Sequence, residues 1–297
     1  MHTAPTEPKD MPMPNLRGRY IIDADWLMTH INSPDLIVVD GSWHLPHLGR
    51  NGRMEFEQAH IPGAQYFDID DIADETSDLP HMLPSPAKFA SRMKKLGIGD
   101  GCRVVAYDTV GVTTAARVWW MLRAMGHEDV AVLNGGRAAW VAAGGQLTDE
   151  PTLKKPEVHF TPRLNRSLIR DFDDMKRASR DGNEQIIDAR SAGRFAGTDP
   201  EPREGLRGGH MPAAHNVPFP ELLDDAGFLK PEAELRAAFK SAGVALAKPI
   251  ATTCGSGVTA AILALALATL GRPDVAVYDG SWSEWGQPDS GAPVEAA

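Results

Sequence analysis

Short apolar runs alternate with longer helical patterns along most of the chain. Apolar runs without polar alternation are typical of strands that are buried on both faces of a parallel sheet. The predicted strands are residues 36–40, 103–107, 130–133, 185–188, 249–253 and 275–278. Helical patterns between them predict helices at 86–96, 114–125, 231–242 and 259–270. This alternation indicates an α/β fold in which each parallel sheet is flanked by helices on both faces.

The chain also repeats itself, which divides it into two domain-sized units. The motif His-x-Pro-x-Ala begins at His60 and again at His210, and Gly-Val-Thr begins at Gly111 and again at Gly257. Motifs that keep their order at nearly one domain-sized offset predict a tandem duplication. The expected organisation is a disordered tail at 1–15, a domain at 16–147, a linker at 148–162 and a second domain at 163–290. The linker is expected from its prolines and its lack of apolar periodicity.

Composition and charge argue against several classes of protein, among them nucleic-acid-binding and membrane-spanning proteins. The chain has 30 basic and 40 acidic residues, which leaves no basic surplus for a nucleic-acid or anionic membrane surface. The run 260–270 is apolar on all sides, which predicts a buried helix, and it is too short for a membrane span of about 20 residues. Two cysteines form neither a disulfide framework nor a four-cysteine metal site. We expect a cytoplasmic protein with no metal, no cofactor, no nucleic-acid partner and no membrane partner.

Cys254 is the candidate nucleophile. It directly follows the predicted strand 249–253 and precedes the apolar helix 259–270, so we expect it at the carboxyl edge of a parallel sheet, where ligands bind. Gly255 and Gly257 allow the loop to curl, so that free amides at the helix start converge on the sulfur. Such amides stabilise the thiolate, which is the reactive form of cysteine. The alternative is a buried structural cysteine, which the loop context disfavours.

The duplication supplies an internal control for this assignment. Asp108 stands in the first half where Cys254 stands in the second, and it is followed by a similar glycine-bearing turn. One thiol site per chain is therefore expected. Cys102 begins a predicted strand and has no loop around it, so it is interpreted as structural.

The segment Cys-Gly-Ser-Gly-Val-Thr-Ala at 254–260 resembles the active-site signature of the 3-mercaptopyruvate sulfurtransferases, two-domain members of the rhodanese superfamily. The resemblance extends from residue 16 to residue 285. Further similar motifs are Asp188-Ala189-Arg190, Gly193-Arg194-Phe195, Glu201-Pro202-Arg203, Gly209-His210, Tyr278-Asp279-Gly280-Ser281-Trp282, His60-Ile61-Pro62-Gly63-Ala64, Phe67-Asp68-Ile69-Asp70 and His81-Met82-Leu83-Pro84.

This resemblance implies two tandem rhodanese-like domains, of which the second is catalytic and carries the transferred sulfur as a persulfide on Cys254. The sulfur would come from 3-mercaptopyruvate and pass to cyanide or to a thiol such as thioredoxin, with release of pyruvate. The loop residues implied to hold the sulfur are Gly255, Gly257, Val258 and Thr259. Thiosulfate-specific relatives carry basic residues where Gly255 and Ser256 stand, so the neutral loop favours mercaptopyruvate. Thiosulfate:cyanide transfer is the alternative.

Arg194 and Arg203 lie in a Gly/Pro-rich segment after the strand 185–188, which places them at the same predicted sheet edge as Cys254. A guanidinium can bind a carboxylate and its neighbouring keto oxygen through two parallel hydrogen bonds, which lysine cannot do. The family's substrate arginines fall on these two positions, so the resemblance implies that they bind the donor. Solvated loop arginines are the alternative. Arg190 is expected to pair with acidic residues.

Ser256 has two possible roles at the cysteine loop. Its hydroxyl could donate to the persulfide or relay a proton to the leaving enolate, or it could simply close the turn. The resemblance suggests that His60 reaches across from the first domain to polarise Ser256. The matching His210 favours a structural role for both histidines instead. Relatives often carry Asp where Asn51 stands, so this sequence departs from a Ser-His-Asp relay.

Two other functional classes fit the sequence less well. A phosphatase branch of the same fold uses a Cys-x5-Arg loop, but Ala260 stands at the arginine position, so the loop lacks the cation that holds phosphate. A non-catalytic sulfur carrier or protein-binding module would not need Cys254 together with both arginines. The sequence therefore favours an enzyme.

Overall fold

The first half of the chain forms one five-stranded sheet with its helices. The computed structural model describes residues 17–153 and 155–296, so the expected tail at 1–15 lies outside the described residues. The strands of this unit are β1 (Ile21–Ile22), β2 (Leu36–Asp40), β3 (Gln65–Tyr66), β4 (Arg103–Tyr107) and β5 (Val130–Leu133). Its helices are α1 (Arg17–Tyr20), α2 (Ala24–His30), α3 (Gly52–Gln58), α4 (Ile69–Ile72), α5 (Pro86–Lys95), α6 (Ala115–Ala124) and α7 (Gly136–Ala142).

The second half forms a second sheet of the same kind. Its strands are β6 (Ile169–Arg170), β7 (Gln185–Asp188), β8 (His215–Asn216), β9 (Ile250–Thr253) and β10 (Ala276–Tyr278). Its helices are α8 (Phe172–Asp181), α9 (Ala192–Ala196), α10 (Glu232–Ser241), α11 (Ala260–Thr269) and α12 (Ser281–Trp285).

The two sheets have the same topology. Their strand orders are β1-β5-β4-β2-β3 and β6-β10-β9-β7-β8, and every pairing is parallel. The predicted fold class is thereby confirmed, and the predicted strands and helices agree with the structure to within one residue at each end. The sequence pattern missed the edge strands β1, β3, β6 and β8, because two residues are too few to show a period.

The two units share one hydrophobic core. Helices α6 and α11, which are equivalent in the duplication, pack against each other, and every residue of α11 is buried, as its apolar sequence predicts. Alternate residues of β4 point to opposite faces. Val104 belongs to the core shared by the two units, whereas Val105 belongs to a separate cluster with Leu27 and Trp140. Helices therefore cover both faces, and the inner layer joins the two halves.

The stretch 148–162, expected as a linker, contains no helix or strand among its described residues, apart from an isolated bridge between Thr148 and His60. It follows the surface of the first unit, where Asp100 donates its backbone amide to the carbonyl of His159 at 2.9 Å. A matching bridge joins His210 to Glu295, so residues beyond 290 still pack on the second unit. None of the described helices combines the length and the apolar character that crossing a membrane requires.

Candidate active site

Cys254 lies at the carboxyl edge of the second sheet, between the end of β9 and the start of α11. Its residue surface is only 2% exposed, yet it lines a cavity of about 380 Å³. The first unit supplies one wall of this cavity through Trp43, His44, Leu45, Leu48, Val110, Thr113 and Thr114. The candidate site is therefore a cleft between the two units.

The loop after Cys254 is held from outside by its carbonyl groups. The carbonyl of Cys254 accepts the backbone amide of Trp282 at 3.0 Å, and that of Gly255 accepts the amide of Ser283 at 2.8 Å and its hydroxyl at 2.7 Å. In a planar trans peptide the following N–H points opposite to the carbonyl. The amides of Gly255 and Ser256 are therefore directed away from Trp282 and Ser283.

Asp108 shows what this loop shape binds. Four backbone amides hold its carboxylate at 2.7–2.8 Å, those of Val110, Gly111, Thr114 and Ala115. The amides at the corresponding positions of the second unit are those of Ser256, Gly257, Ala260 and Ala261. The first unit thus carries its own anion in a cradle of amides. In the second unit the amide of Ala261 donates to the carbonyl of Val258 at 3.3 Å, and the other three amides belong to the loop that carries Cys254 and to the first residue of α11.

Arg194 and Arg203 both reach the cavity, but their partners differ. Arg194 donates to Glu201 at 2.6 Å, whereas Arg203 has no carboxylate within 4 Å among the described residues. Its Nη2 lies 3.4 Å from Nε2 of His81. Burial lowers the pKa of Arg203, and the neighbouring Cys254 acts in the opposite direction. Arg203 is therefore a half-buried cation in the cavity wall beside Cys254.

Arg190 is a structural residue, as expected. It is fully buried, pairs with Asp188 at 2.7 Å and with Glu201 at 2.8 Å, and stacks over Trp282 at 4.0 Å. Glu201 therefore orients both Arg190 and Arg194. Its role was missed in the sequence, although it belongs to the Glu-Pro-Arg motif that contains Arg203.

The suggestion that His60 polarises Ser256 is wrong. His60 does not line the cavity of Cys254; its Nδ1 bonds to the carbonyl of Phe56 at 2.8 Å and its Nε2 to the hydroxyl of Thr152 at 3.2 Å. His210 makes the equivalent bond to the carbonyl of Phe195 at 2.8 Å, and each histidine ring stacks on its phenylalanine. The duplicated histidine is a structural element of both units.

His81 is the first-unit histidine that contacts Arg203. Its Nδ1 lies 3.2 Å from Oδ1 of Asp70 in a bent contact, and this contact lowers the pKa of Asp70. Trp43 packs edge-on against the His81 ring and donates its Nε1–H to Asp70 at 2.9 Å. Asp70 and His81 belong to the motifs Phe67–Asp70 and His81–Pro84, which the family resemblance includes. Nothing in the spacing of these motifs predicts a contact with Arg203.

The remaining predicted residues divide between the cavity wall and the frame of the loop. Besides Cys254 and the two arginines, the wall includes Gly255, Ser256, Val258 and Thr259. Gly257 does not line the cavity, and its φ of +77° sets the turn of the loop. The Ser256 hydroxyl makes no hydrogen bond to any described residue. In the first unit, Asn51 caps α3 by accepting the amide of Met54 at 3.0 Å. Cys102 is half-buried at the opposite end of β4, away from this cavity.

Comparisons with known proteins identify the family and the fold of the chain. A model of the rhodanese-like domain matches residues 23–143 and 171–288. The 3-mercaptopyruvate sulfurtransferase of Escherichia coli (strain K12) is 45% identical over 90% of this chain and 95% of the relative. The mitochondrial thiosulfate/3-mercaptopyruvate sulfurtransferase 1 of Arabidopsis thaliana is 41% identical over 93% of this chain and 78% of the relative. A crystal structure of a 3-mercaptopyruvate sulfotransferase from Escherichia coli matches with a TM-score of 0.81 at 44% identity, over 89% of this chain and 99% of that chain.

Proposed function

Because the chain belongs to the rhodanese family, we propose that it is a 3-mercaptopyruvate sulfurtransferase whose Cys254 carries the transferred sulfur. The observation that carries this proposal is the position of Cys254 in the cavity wall, on a loop whose first-unit copy holds the Asp108 carboxylate through four amides. A persulfide anion has the charge and the site of attachment that such a cradle suits.

The first half-reaction moves one sulfur atom and one proton. The thiolate of Cys254 attacks the sulfur of 3-mercaptopyruvate, an S–S bond forms, and the C–S bond breaks with its electron pair going to carbon. The resulting enolate takes the proton that the donor thiol gives up, so the products are pyruvate and a Cys254 persulfide anion. The hydroxyl of Ser256 lines the cavity and is free of other partners among the described residues, which supports it as the proton relay.

The substrate groups match the charges of the cavity. The carboxylate and keto oxygen of the donor can bind Arg203, which has no carboxylate partner of its own in the described chain, and Arg194, which Glu201 holds in place. His81, held by Asp70 beside Arg203, replaces His60 in the proposed site. Gly255, Gly257, Val258 and Thr259 form the loop that surrounds the sulfur.

The second half-reaction returns the thiolate. A thiol acceptor takes the outer sulfur as a new persulfide, or cyanide takes it as thiocyanate, and Cys254 is released in either case. Thioredoxin is the protein thiol that we propose, with cyanide as a small-molecule alternative. Thiosulfate is the second candidate donor, because the Arabidopsis relative's name includes it. The absence of a basic side chain at Gly255 and Ser256 favours mercaptopyruvate.

We propose the cytoplasm as the compartment, because Cys254 acts as a free thiol and needs a reducing environment. Mitochondria, the location in the Arabidopsis relative's name, also provide one. Fractionation of the source cells, followed by detection of this protein in each fraction, tests the choice.

Mass spectrometry of the protein after mixing with 3-mercaptopyruvate tests the function. One sulfur atom should be added to the peptide that contains Cys254, with one equivalent of pyruvate released. The Cys254→Ser variant should gain no sulfur and lose turnover, whereas Cys102→Ser should behave like the wild type. Sulfur on Cys102, or full turnover without Cys254, would refute the proposal.

A further inference from the structure

A buried arginine of the first unit reaches the cysteine loop of the second. Arg117, on α6, is 0% exposed, and its guanidinium stacks over Trp120 at 4.4 Å. Its Nη1 lies 2.7 Å from the carboxylate of Asp279 and donates to the carbonyl of Gly257 at 3.3 Å. Its Nη2 donates to the carbonyl of His81. One planar guanidinium therefore joins three separate segments.

The contact with Gly257 fixes the direction of a peptide group in the loop. Because the carbonyl of Gly257 points to Arg117, the N–H of Val258 in the same planar peptide points the opposite way. The carbonyls of Cys254 and Gly255 are held in the same manner by Trp282 and Ser283. Arg117 thus supplies the third outer anchor of the loop and the only one of the three that comes from the first unit.

The contact with His81 holds a strained residue. His81 has a φ of +63°, a left-handed conformation that is costly for a bulky side chain and persists only where its surroundings enforce it. Arg117 binds its carbonyl, and the amide of Leu83 donates to Oδ2 of Asp279 at 2.6 Å. The ion pair of Arg117 and Asp279 therefore anchors the His81 segment and the cysteine loop together.

We propose that Arg117 is a positioning residue, which fixes the orientation of the Gly257–Val258 peptide in the Cys254 loop and fixes His81 beside Arg203. The proposal rests on the proposed sulfurtransferase function, in which Cys254 must be stabilised first as a thiolate and then as a persulfide. It gives the first unit, in which Asp108 stands at the position of Cys254, a direct part in the reactivity of the second.

Helix α6 offers a matched control, because Arg123 is also buried and also reaches the second unit. It donates to the carbonyl of Pro273 at 3.1 Å, pairs with Glu128 and stacks over Trp119, but it touches neither the cysteine loop nor the His81 segment. Arg117→Lys and Arg123→Lys both replace a buried planar guanidinium by an ammonium group. Only Arg117→Lys should affect the chemistry, because one ammonium cannot hold all three acceptors of Arg117.

The test compares the rate of Cys254 alkylation by iodoacetamide at neutral pH, together with kcat and KM for two sulfur donors. Arg117→Lys should slow alkylation and lower kcat by about 10- to 100-fold, alike for 3-mercaptopyruvate and thiosulfate, because the amides act on the sulfur. The KM for 3-mercaptopyruvate should change little, since Arg194 and Arg203 remain. Arg123→Lys should leave alkylation and kcat near the wild-type values.

The variant Asp279→Asn separates positioning from stability. It breaks the buried ion pair but keeps Arg117 as a donor to the two carbonyls, so it should unfold at a lower temperature and slow alkylation by iodoacetamide less than Arg117→Lys does. Equal losses of reactivity in Arg117→Lys and either Asp279→Asn or Arg123→Lys would overturn the proposal. If the wild type accepted sulfur from neither donor, the proposed function would fail, while alkylation would still decide the role of Arg117.

Discussion

Asp108 and Cys254 occupy the same place in two copies of one loop, and their side chains decide what each copy does. The Asp108 carboxylate satisfies four backbone amides, so that loop is closed by its own anion. Cys254 brings a shorter side chain whose charge depends on ionisation and whose sulfur can bind a second sulfur. The presence of Cys254 where the first copy has Asp108 therefore confines the proposed chemistry to the second unit.

The two arginines that we propose bind the substrate give the first prediction at this scale. Arg203→Ala and Arg194→Ala should each lower kcat/KM for 3-mercaptopyruvate by about 10- to 100-fold, the value of a lost charge-assisted hydrogen bond. Thiosulfate use should fall less, because it has no carboxylate. Steady-state assays with both donors measure this. Arg180→Ala, on an exposed part of α8, is the control. Equal losses for both donors would contradict the proposal that Arg194 and Arg203 bind the donor carboxylate.

The two histidines of the first unit are distinguished by a second pair of variants. His81→Gln should lower kcat and kcat/KM for 3-mercaptopyruvate by about 10-fold, because Arg203 loses the ring that contacts its Nη2. His60→Gln should lower the unfolding temperature, because both ring nitrogens have partners, but should leave kcat of the folded protein unchanged. Activity per folded molecule is the measurement, and a larger loss of kcat in His60→Gln would reverse the assignment.

Asp40 and Asp188 end equivalent strands in opposite electrostatic environments. Asp188 pairs with the buried Arg190, whereas Oδ2 of Asp40 has no hydrogen-bond partner in the described part of the chain. Burial raises the pKa of Asp40, and the nearby Asp108 adds to this effect. The folded state therefore binds a proton more readily than the unfolded state, and stability from this group is lost as the pH rises through the raised pKa.

Substitution by asparagine should thus have opposite signs at these two positions. Asp40→Asn should raise the unfolding temperature at pH 8 and have a smaller effect at pH 5. Asp188→Asn should lower it at both values, because Arg190 loses a buried partner, at a cost of about 3–5 kcal/mol. Thermal unfolding at the two pH values measures both changes. A destabilised Asp40→Asn at pH 8 would contradict the account.

At the scale of the element, the turn between β9 and α11 is set by glycine. Gly257 has a φ of +77°, and a Cβ there would lie 2.8 Å from the carbonyl oxygen of Asp279 and 3.1 Å from Arg117. Both the conformation and the close approach require glycine. The turn is thus fixed by local sequence, but its anchors belong to other parts of the chain.

Gly182 provides the comparison for a glycine variant of this turn. It caps α8 with a φ of +62°, and a Cβ there would meet nothing within 4 Å. Gly182→Ala should cost about 1 kcal/mol of stability and leave turnover intact. Gly257→Ala should cost more and abolish most turnover, because the peptide that Arg117 holds must move. Unfolding and turnover measured on both variants test this; an active Gly257→Ala would argue against a rigid cradle.

At the scale of the whole molecule, the two units depend on each other. The packing of α6 on α11 places apolar surfaces from both halves in one core, and the first unit supplies a wall of the cavity. Burial of apolar surface is the main stabilising contribution in folding, so we expect each half to lose stability after separation.

Residues 163–297 expressed alone should therefore be poorly folded and inactive. Exposure of α11 should cause association, visible by size-exclusion chromatography, together with a weak near-ultraviolet circular dichroism signal. Coexpression with residues 1–162 as a separate chain should restore both folding and sulfur transfer by rebuilding the shared core. An active, monomeric fragment would show that the first unit is dispensable.

The sequence by itself determined the features that depend on neighbouring residues. Apolar runs gave the long strands, helical periodicity gave the long helices, and the spacing of glycines around Cys254 gave the turn that builds the cradle. The duplication distinguished Cys254 from Asp108 without any coordinates. These signals are local, because strand, helix and turn conformations depend on residues a few positions apart.

Only the tertiary structure decided which distant groups meet at the site. It places His81, and not His60, beside Arg203. It also joins Glu201 to both Arg190 and Arg194 and brings Arg117 to the cysteine loop. No periodicity relates Arg117 to Gly257, since their contact arises from the packing of two separate halves. The physical reason is that such contacts depend on how whole elements bury their apolar faces, which the order of residues within any one segment does not record.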